Sequence, residues 1–282
     1  MTHNIHVSDF SDFCFGVKRA IRIAEETIIK GEKPVYSLGA IIHNREVVKR
    51  LAKKGLKVLD GSPKSVKKGT IVVCSHGVHP DRLKGVKKCV TVVDATCPFV
   101  KNAQKIAEKL YQDGYKVVII GDKGHPEVRS LERFAGNKAV VISDVNEARR
   151  FNSEAEKIGI LAQTTQANRN FRNILSELLK KDFKEIGIFN TICRDAELRQ
   201  KATEDLSKKS SVMIVVGGKD SANTRRLYDI CKKSGVSAYH VETACEVKEK
   251  WLKNKKPVGV VSGASTPRWI VDEVVSKVKG YK

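Results

Sequence analysis

The chain has 282 residues, of which 41% are hydrophobic and 6% aromatic, and 53 Lys and Arg against 32 Asp and Glu give a formal net charge of +21. This length suits two or three small domains. No apolar run approaches the roughly 18 residues that span a bilayer, and the start lacks a secretory signal, so we expect a cytoplasmic protein that does not insert in membranes. The charge attracts acidic partners, but no aromatic residues alternate with the basic clusters, which leaves nucleic-acid binding a minor hypothesis.

Short β-branched runs alternate with helical patterns along the whole chain. The predicted strands are, in chain order, residues 33–38, 70–75, 90–93, 116–120, 139–142, 158–161, 185–189, 212–216 and 257–261. Continuous apolar runs separated by helices are typical of parallel strands that are buried on both faces. The sequence therefore predicts an α/β fold with parallel sheets.

A cysteine recurs about once in ninety residues, each time after an apolar run and before an amphipathic helix. Cys14, Cys97 and Cys193 hold these positions. The segments 14–25 and 97–108 agree at six positions besides the cysteine, and the segment 193–204 shares the last of these, a Glu. This pattern predicts three similar α/β repeats, residues 14–96, 97–192 and 193–282, with residues 1–13 packing on the last.

Each repeat also supplies two polar loops after predicted strands. The first set of loops leads from a Gly to a polar residue four positions later, at His43, His125 and Ser221; the second set contains His76, Thr164 and Ser265. Ligands of parallel α/β structures bind at the carboxyl ends of strands. Packing about a pseudo-threefold axis, as a trefoil, would turn all six loops and the three thiols toward one central cavity. Three unrelated βαβ units are the alternative.

Seven scattered cysteines argue against a disulfide framework. Cys74, Cys89 and Cys231 lie in or beside apolar patterns and are expected to be buried. Three converging thiolates suit zinc, copper(I) or an iron–sulfur cluster, and a structural zinc site would normally have a fourth protein ligand. Three ligands on a [4Fe-4S] cluster would leave one iron open to substrate, which makes reductive chemistry the natural hypothesis.

The polar loop residues are suited to an anionic ligand. Imidazoles, hydroxyls, an amide at Asn223 and helix N-termini together form a cradle for phosphate or diphosphate. Glu127, two residues after His125, offers a titratable proton whose pKa burial would raise toward neutrality.

Nine segments at these positions carry a resemblance to a known family. They include Asp94-Ala-Thr-Cys-Pro-Phe-Val100 and Gly124-His-Pro-Glu-Val128, and in full they are residues 13–20, 42–48, 75–78, 94–100, 124–128, 162–165, 190–193 with 199–200, 217–224 and 263–267. In this order they resemble the 4-hydroxy-3-methylbut-2-enyl diphosphate reductase, or LytB, family, whose members catalyse the last step of the methylerythritol phosphate route to isoprenoids.

The resemblance implies a fold, a cofactor and a reaction. It implies a trefoil of three α/β units around a [4Fe-4S] cluster bound by Cys14, Cys97 and Cys193, with the substrate hydroxyl at the open iron. His43, His76, Ser221, Asn223 and Ser265 would hold the diphosphate, while His125 and Thr164 would serve the reacting end and Glu127 would relay protons. Two electrons, supplied by an acidic ferredoxin or flavodoxin, and two protons would yield isopentenyl and dimethylallyl diphosphate.

Several positions depart from that family's pattern. Asp12 replaces a Gly, Ser130-Leu131 replaces Gly-Thr, residues 194–196 replace Asn-Ala-Thr, Asp220 replaces Asn, and Ala222 stands where Ser or Gly is common. Asp220 would repel a diphosphate unless Lys219 neutralises it or its side chain turns outward. Two alternatives follow: a divergent family member with the same cluster and another substrate, or a basic, non-catalytic redox-sensing or nucleic-acid-binding protein that has no need of Glu127.

Overall fold

The computed structural model describes residues 4–253 and 256–281. Its described strands are β1 (Ile5–Val7), β2 (Val35–Leu38), β3 (Leu56–Leu59), β4 (Gly69–Val73), β5 (Val90–Asp94), β6 (Lys116–Ile120), β7 (Val140–Ile142), β8 (Lys157–Ala162), β9 (Glu185–Phe189), β10 (Val212–Val216), β11 (Ser237–Val241) and β12 (Val258–Ser262). They form three four-stranded sheets in which all the pairings are parallel. The predicted α/β fold with parallel sheets is confirmed.

Helices connect the strands. Their bounds are α1 (Phe15–Lys30), α2 (Arg45–Lys53), α3 (Pro98–Gln112), α4 (Pro126–Phe134), α5 (Val145–Arg150), α6 (Asn168–Leu178), α7 (Arg194–Ser207), α8 (Ala222–Lys233) and α9 (Arg268–Gly280). None of the described helices is long and apolar enough to cross a membrane.

All three sheets have the same strand topology. The spatial orders are β3-β2-β4-β5, β7-β6-β8-β9 and β11-β10-β12-β1. If the strands of each sheet are numbered 1 to 4, all three sheets have the spatial order 2-1-3-4, in which β1 counts as strand 4 of the last sheet. The N-terminal strand β1 serves as the fourth strand of the last sheet, where Val7 pairs with Val260. The three cysteines that the sequence singles out each follow such a fourth, edge strand.

The central strands are the best-buried parts of the sheets. Every residue of β4, β10 and β12 is buried, as the continuous apolar runs predict, because helices cover both faces of a parallel sheet. The strands β1, β3 and β11 were not among the predicted strands. Each lies at a sheet edge, is only partly buried and has a His or Lys that interrupts its apolar residues.

The described residues fall into two groups of contacts. The terminal unit comprises the described residues of Met1–Lys18, His43–Lys49 and Arg194–Lys282, and the internal unit comprises Arg19–Ile42 and Arg50–Cys193. The terminal unit contains the sheet completed by β1, and the internal unit contains the other two sheets. The boundaries of three repeats and their pseudo-threefold arrangement stay predictions.

Candidate active site

The three repeated cysteines occupy the same local position in their sheets. In the internal unit the Cys97 N–H donates to the Ser75 carbonyl at 3.0 Å, and the Cys193 N–H donates to the Thr164 carbonyl at 2.8 Å. In the terminal unit the Cys14 N–H donates to the Ala264 carbonyl at 3.1 Å. In each case the acceptor lies in the polar loop after the third strand, so this bond joins a thiol to the loop that the sequence pairs with it.

These thiols differ from the other cysteines in exposure. Cys14, Cys97 and Cys193 are half-buried, and all seven cysteines lie in the described part of the chain as thiols. Cys74 and Cys231 are buried as expected, and burial raises the pKa of Cys231 to about 12. The expectation for Cys89 was wrong: this residue is exposed, because it lies in the turn that precedes the edge strand β5.

In the internal unit, Cys97 lies in a negative environment. Burial raises the pKa of its thiol, and the neighbouring groups of Cys193 and Glu127 raise it further, although two N–H groups of the first turn of α3 oppose this. Two thiolates that repel each other in a partly buried site are stabilised together by a cation.

His125 caps the helix that carries Glu127. Its Nδ1 accepts the Glu127 N–H at 3.2 Å, which leaves the proton of the neutral imidazole on Nε2. The ring of His76 lies edge-on to the ring of His125, with 5.6 Å between the centroids. These two predicted site residues are thus neighbours, and the N–H at Nε2 makes His125 a hydrogen-bond donor.

Glu127 is a buried carboxyl held by one residue. Its Oε1 accepts the Thr164 N–H at 2.6 Å and its Oε2 accepts the Thr164 hydroxyl at 2.9 Å, while only 1% of the residue is exposed. Burial raises the pKa of Glu127 to about 7, with a smaller upward effect of Asp122 and an opposing effect of the two Thr164 hydrogen bonds. Near neutral pH this carboxyl is therefore about half protonated and able to give or take a proton.

The raised pKa of Glu127 predicts how stability depends on pH. The unfolded chain releases this proton near pH 4.5 and the folded protein near pH 7, so the folded state binds more protons between these values and its stability falls as pH rises. The loss amounts to about 3 kcal/mol. Urea unfolding measures this in the metal-free parent and in metal-free Glu127→Gln at pH 5 and pH 8. Between these pH values the parent is expected to lose most of this free energy of unfolding, and the variant is expected not to lose it. The same change at half-buried Glu132 serves as control; an equal effect there would contradict the assignment.

Gln104 and Ser130 form a buried contact that sequence reasoning did not assign to the site. The amide nitrogen of Gln104, on α3, donates to the Ser130 hydroxyl on α4 at 3.0 Å, and both residues are buried. A side chain at Gly77, next to His76, would collide with the same amide at 2.5 Å. Gln104 thereby braces the helix after Cys97, the helix of Glu127 and the loop of His76. Ser130, a departure from the family pattern, is its acceptor.

In the terminal unit, Ser221 and Asn223 lie at the N-terminus of α8. The Ser221 Oγ accepts the Thr224 N–H at 3.3 Å and caps the helix, which leaves the Ser221 hydroxyl proton available to a ligand. Asn223 is 4% exposed, and neither its Oδ1 nor its Nδ2 has a hydrogen-bond partner among the described residues. A buried amide without partners is costly unless a ligand satisfies it.

Ser265 and His43 are joined in the same unit. The Ser265 hydroxyl donates to the His43 carbonyl at 3.0 Å, and a side chain at Gly218 would meet that carbonyl at 2.6 Å. Burial lowers the pKa of His43, which favours its neutral form. The Ser265 hydroxyl would have to turn away from the His43 carbonyl to donate to an anion.

The carboxylate of Asp220 is directed outward. Its side chain is 70% exposed and lies 3.3 Å from the guanidinium of Arg45. Lys219 pairs with Glu246 at 2.6 Å instead, and its N–H donates to Glu242. The sequence left two ways for Asp220 to be compatible with a diphosphate, neutralisation by Lys219 or a side chain that turns outward. The structure shows the outward side chain, with Arg45 as the balancing charge.

Each unit thus brings together part of the predicted site. The internal unit joins six of its members through the contacts described above: His76, Cys97, His125, Glu127, Thr164 and Cys193. The terminal unit contains the other five: Cys14, His43, Ser221, Asn223 and Ser265. Half-buried thiols at helix N-termini, with mutual repulsion in the internal unit, are a donor set that fits an iron–sulfur cluster.

Comparisons with known proteins extend over almost the whole chain. Residues 5–279 match the family model described as LytB protein. The chain is 45% identical over 268 residues to the 4-hydroxy-3-methylbut-2-enyl diphosphate reductase of Geobacter metallireducens, covering 95% of this chain and 94% of that protein. It is 40% identical to the enzyme of the same name from Aquifex aeolicus, covering 98% and 96%.

Solved structures agree with this relationship. The E-1-hydroxy-2-methyl-but-2-enyl-4-diphosphate reductase of Plasmodium falciparum matches with a TM-score of 0.92 at 27% identity, covering 98% of this chain and 88% of that one. A second structure, of (E)-4-hydroxy-3-methyl-but-2-enyl diphosphate reductase, matches with a TM-score of 0.67 at 39% identity and covers 99% of both chains. Since family model, relatives and structures agree over nearly every residue, the chain belongs to the LytB protein family.

Proposed function

We propose that the protein is a 4-hydroxy-3-methylbut-2-enyl diphosphate reductase. The reaction takes up two electrons and two protons, breaks the bond from carbon to the allylic hydroxyl, and releases water with isopentenyl and dimethylallyl diphosphate. The observation that carries the proposal is the buried carboxyl of Glu127, with a pKa of about 7, in the unit that also holds two of the three repeated cysteines. The names of the relatives favour this activity over another substrate or a non-catalytic role.

Cys14, Cys97 and Cys193 are the residues that would hold a [4Fe-4S] cluster. Such a cluster would store and pass electrons, and with three protein ligands it would also supply a Lewis acid. The three thiols are half-buried, and each belongs to a segment fixed by the same backbone hydrogen bond to a polar loop. Ligands held in this way lose little conformational entropy on binding.

Glu127 would hold and deliver the protons. At neutral pH its carboxyl exists in both protonation states, and Thr164 fixes both oxygens, so the proton is presented from a defined direction. The N–H at Nε2 of His125 is a second donor beside it. Burial of Glu127 also limits proton exchange with bulk water.

The remaining site residues would bind the diphosphate. Asn223 offers a buried amide, Ser221 a hydroxyl proton, and the N-terminus of α8 a partial positive charge. His43, His76 and Ser265 complete the proposed set. An anion that satisfies the Asn223 amide removes an energetic cost of the ligand-free protein, which adds to its affinity.

The electron donor proposed is a ferredoxin or flavodoxin, since small acidic proteins are attracted by a net charge of +21. The proposal retains the expected cytoplasmic location.

Anaerobic reconstitution with iron and sulfide, followed by turnover of 4-hydroxy-3-methylbut-2-enyl diphosphate with a reduced viologen dye, tests the proposed function. We expect a brown protein with about four irons that forms both products. A brown protein without turnover would overturn the substrate. A colourless protein that binds only zinc would overturn the cluster.

A further inference from the structure

Arg199 is a buried cation whose hydrogen bonds all lie within the terminal unit. It is located on α7 and is 3% exposed. Its guanidinium donates to the carbonyls of Phe10, Asp12 (2.7 Å) and Ser262 (3.4 Å), and its Nε lies 2.7 Å from the Asp195 carboxylate. A second contact to Asp195, at 3.4 Å, brings the number to five, one for each N–H that a guanidinium carries.

The three carbonyls belong to the two segments that fix Cys14. Phe10 and Asp12 lie four and two residues before Cys14 in the chain. Ser262 ends β12 and leads to Ala264, whose carbonyl accepts the Cys14 N–H at 3.1 Å. Arg199 therefore connects residues 10–14, which carry this cysteine, to residues 262–264, which accept its backbone N–H. Separating the two segments requires the guanidinium to lose hydrogen bonds.

The side chain of Asp12 fixes the same segment from the other side. Its carboxylate accepts the N–H of Arg268 at the start of α9, at 3.2 Å, and lies 2.8 Å from the ammonium of Lys18 on α1. A Gly at this position would supply neither contact and would free the backbone.

Two of the residues involved are departures from the family pattern noted in the sequence. Asp12 stands in place of a Gly, and Asp195 in place of an Ala. A buried guanidinium without a carboxylate partner is poorly stabilised, and Asp195 supplies that partner from one turn earlier on α7. Both departures thus act on the segment of Cys14.

We propose that Arg199, supported by Asp195 and Asp12, is a positioning residue that holds the Cys14 thiol in its binding geometry. The role of Cys14 as a cluster ligand rests on the proposed function. We call the contacts of Arg199 with Asp195 and with the carbonyls of Phe10, Asp12 and Ser262 the clamp. The clamp is a property of the metal-free chain, and it makes the departures at Asp12 and Asp195 modifications of thiol placement, not of substrate choice.

The clamp is tested by the reactivity of Cys14 in the reduced, metal-free protein. Iodoacetamide pulses followed by peptide mass spectrometry measure the alkylation rate of each cysteine separately. Asp195→Ala and Asp12→Gly are expected to raise the rate at Cys14 about fivefold, because a local opening exposes the thiol, and to leave Cys97 unchanged. Glu204→Ala is the matched control, because it removes an exposed ion pair with Lys208 from the same helix, and it is expected to change neither rate.

Two results contradict the clamp. One is an unchanged Cys14 rate in both variants; the other is an equal rise at Cys14 and Cys97, which indicates general destabilisation. Arg199→Lys provides a further check, because it keeps the charge but has too few donors for all the acceptors and is expected to raise the Cys14 rate as well.

Failure of the clamp and failure of the proposed function are distinguishable. If the reconstituted parent protein turns over its substrate while no variant alters Cys14 alkylation, the clamp is wrong and the function stands. If the variants alter Cys14 alkylation while the parent binds no iron, the clamp stands and the function is wrong. Iron loss to a chelator, measured on the reconstituted proteins, is expected to be faster in Asp195→Ala than in Glu204→Ala.

Discussion

Glu127→Gln is expected to lower turnover about a hundredfold to ten-thousandfold, because the substitution removes the proton while it keeps the shape of the side chain. The Gln oxygen accepts the Thr164 N–H in place of one carboxylate oxygen, and its amide nitrogen donates to the Thr164 hydroxyl in place of the other. Both contacts of the parent residue therefore keep a hydrogen bond. The loss of activity is then chemical and not a consequence of a displaced helix.

Three measurements isolate this effect. Iron content and the visible absorption of the reconstituted variant are expected to equal those of the parent, because Glu127 is not among the proposed ligands. The control Glu132→Gln, on the same helix, is expected to keep full turnover. A Glu127→Gln protein with parental turnover would contradict the proton-donor role, and one without a cluster would leave an iron-binding role instead.

The pH dependence of turnover gives the same test an independent readout. A donor with a pKa of about 7 is protonated below that value, so parental activity is expected to decline as pH rises through 7. The residual activity of Glu127→Gln is expected to show no such decline. A parental profile that stays flat from pH 6 to pH 8 would contradict the assignment.

The sequence predicted all six inner strands of the described sheets and three of the six edge strands, and it missed the edge strands β1, β3 and β11. The five residues of β10 are all buried and form an apolar run, whereas only the first of the four residues of β3 is buried and a Lys interrupts its apolar residues. Burial on two faces requires a continuous apolar run, whereas an edge strand forms with or without one. The error at Cys89 has another cause, because this residue lies in the turn before β5 and outside the strand.

The candidate site was predictable where its residues follow strands, because the carboxyl ends of parallel strands are where ligands bind. The roles of Arg199 and Gln104 were not predictable in this way. Arg199 donates to the carbonyl of Phe10, which is 189 residues away in the chain, and no local pattern marks such a partner. Backbone carbonyls are present at every residue, so only the folded chain shows which of them a buried cation selects.

Asn223→Leu is expected to make the ligand-free protein more stable and to weaken substrate binding by the enzyme. Leu has the same branched heavy-atom skeleton as Asn and no polar atoms, so it removes two buried groups that lack partners in the described structure. Relieving that cost is expected to raise the free energy of unfolding by about 1 kcal/mol. The diphosphate, however, loses its buried amide partner, and KM is expected to rise about tenfold to a hundredfold.

A substitution that raises stability and lowers substrate affinity indicates that the original residue serves the ligand and not the fold. Urea unfolding of the metal-free protein measures the first, and the KM for substrate together with inhibition by inorganic pyrophosphate measures the second. Asn170→Leu is the matched control: that amide donates to the Ser143 carbonyl at 2.9 Å, so its loss is expected to lower stability and leave KM unchanged. A less stable Asn223→Leu protein would mean that the amide serves the fold, and an unchanged KM would remove Asn223 from the diphosphate site.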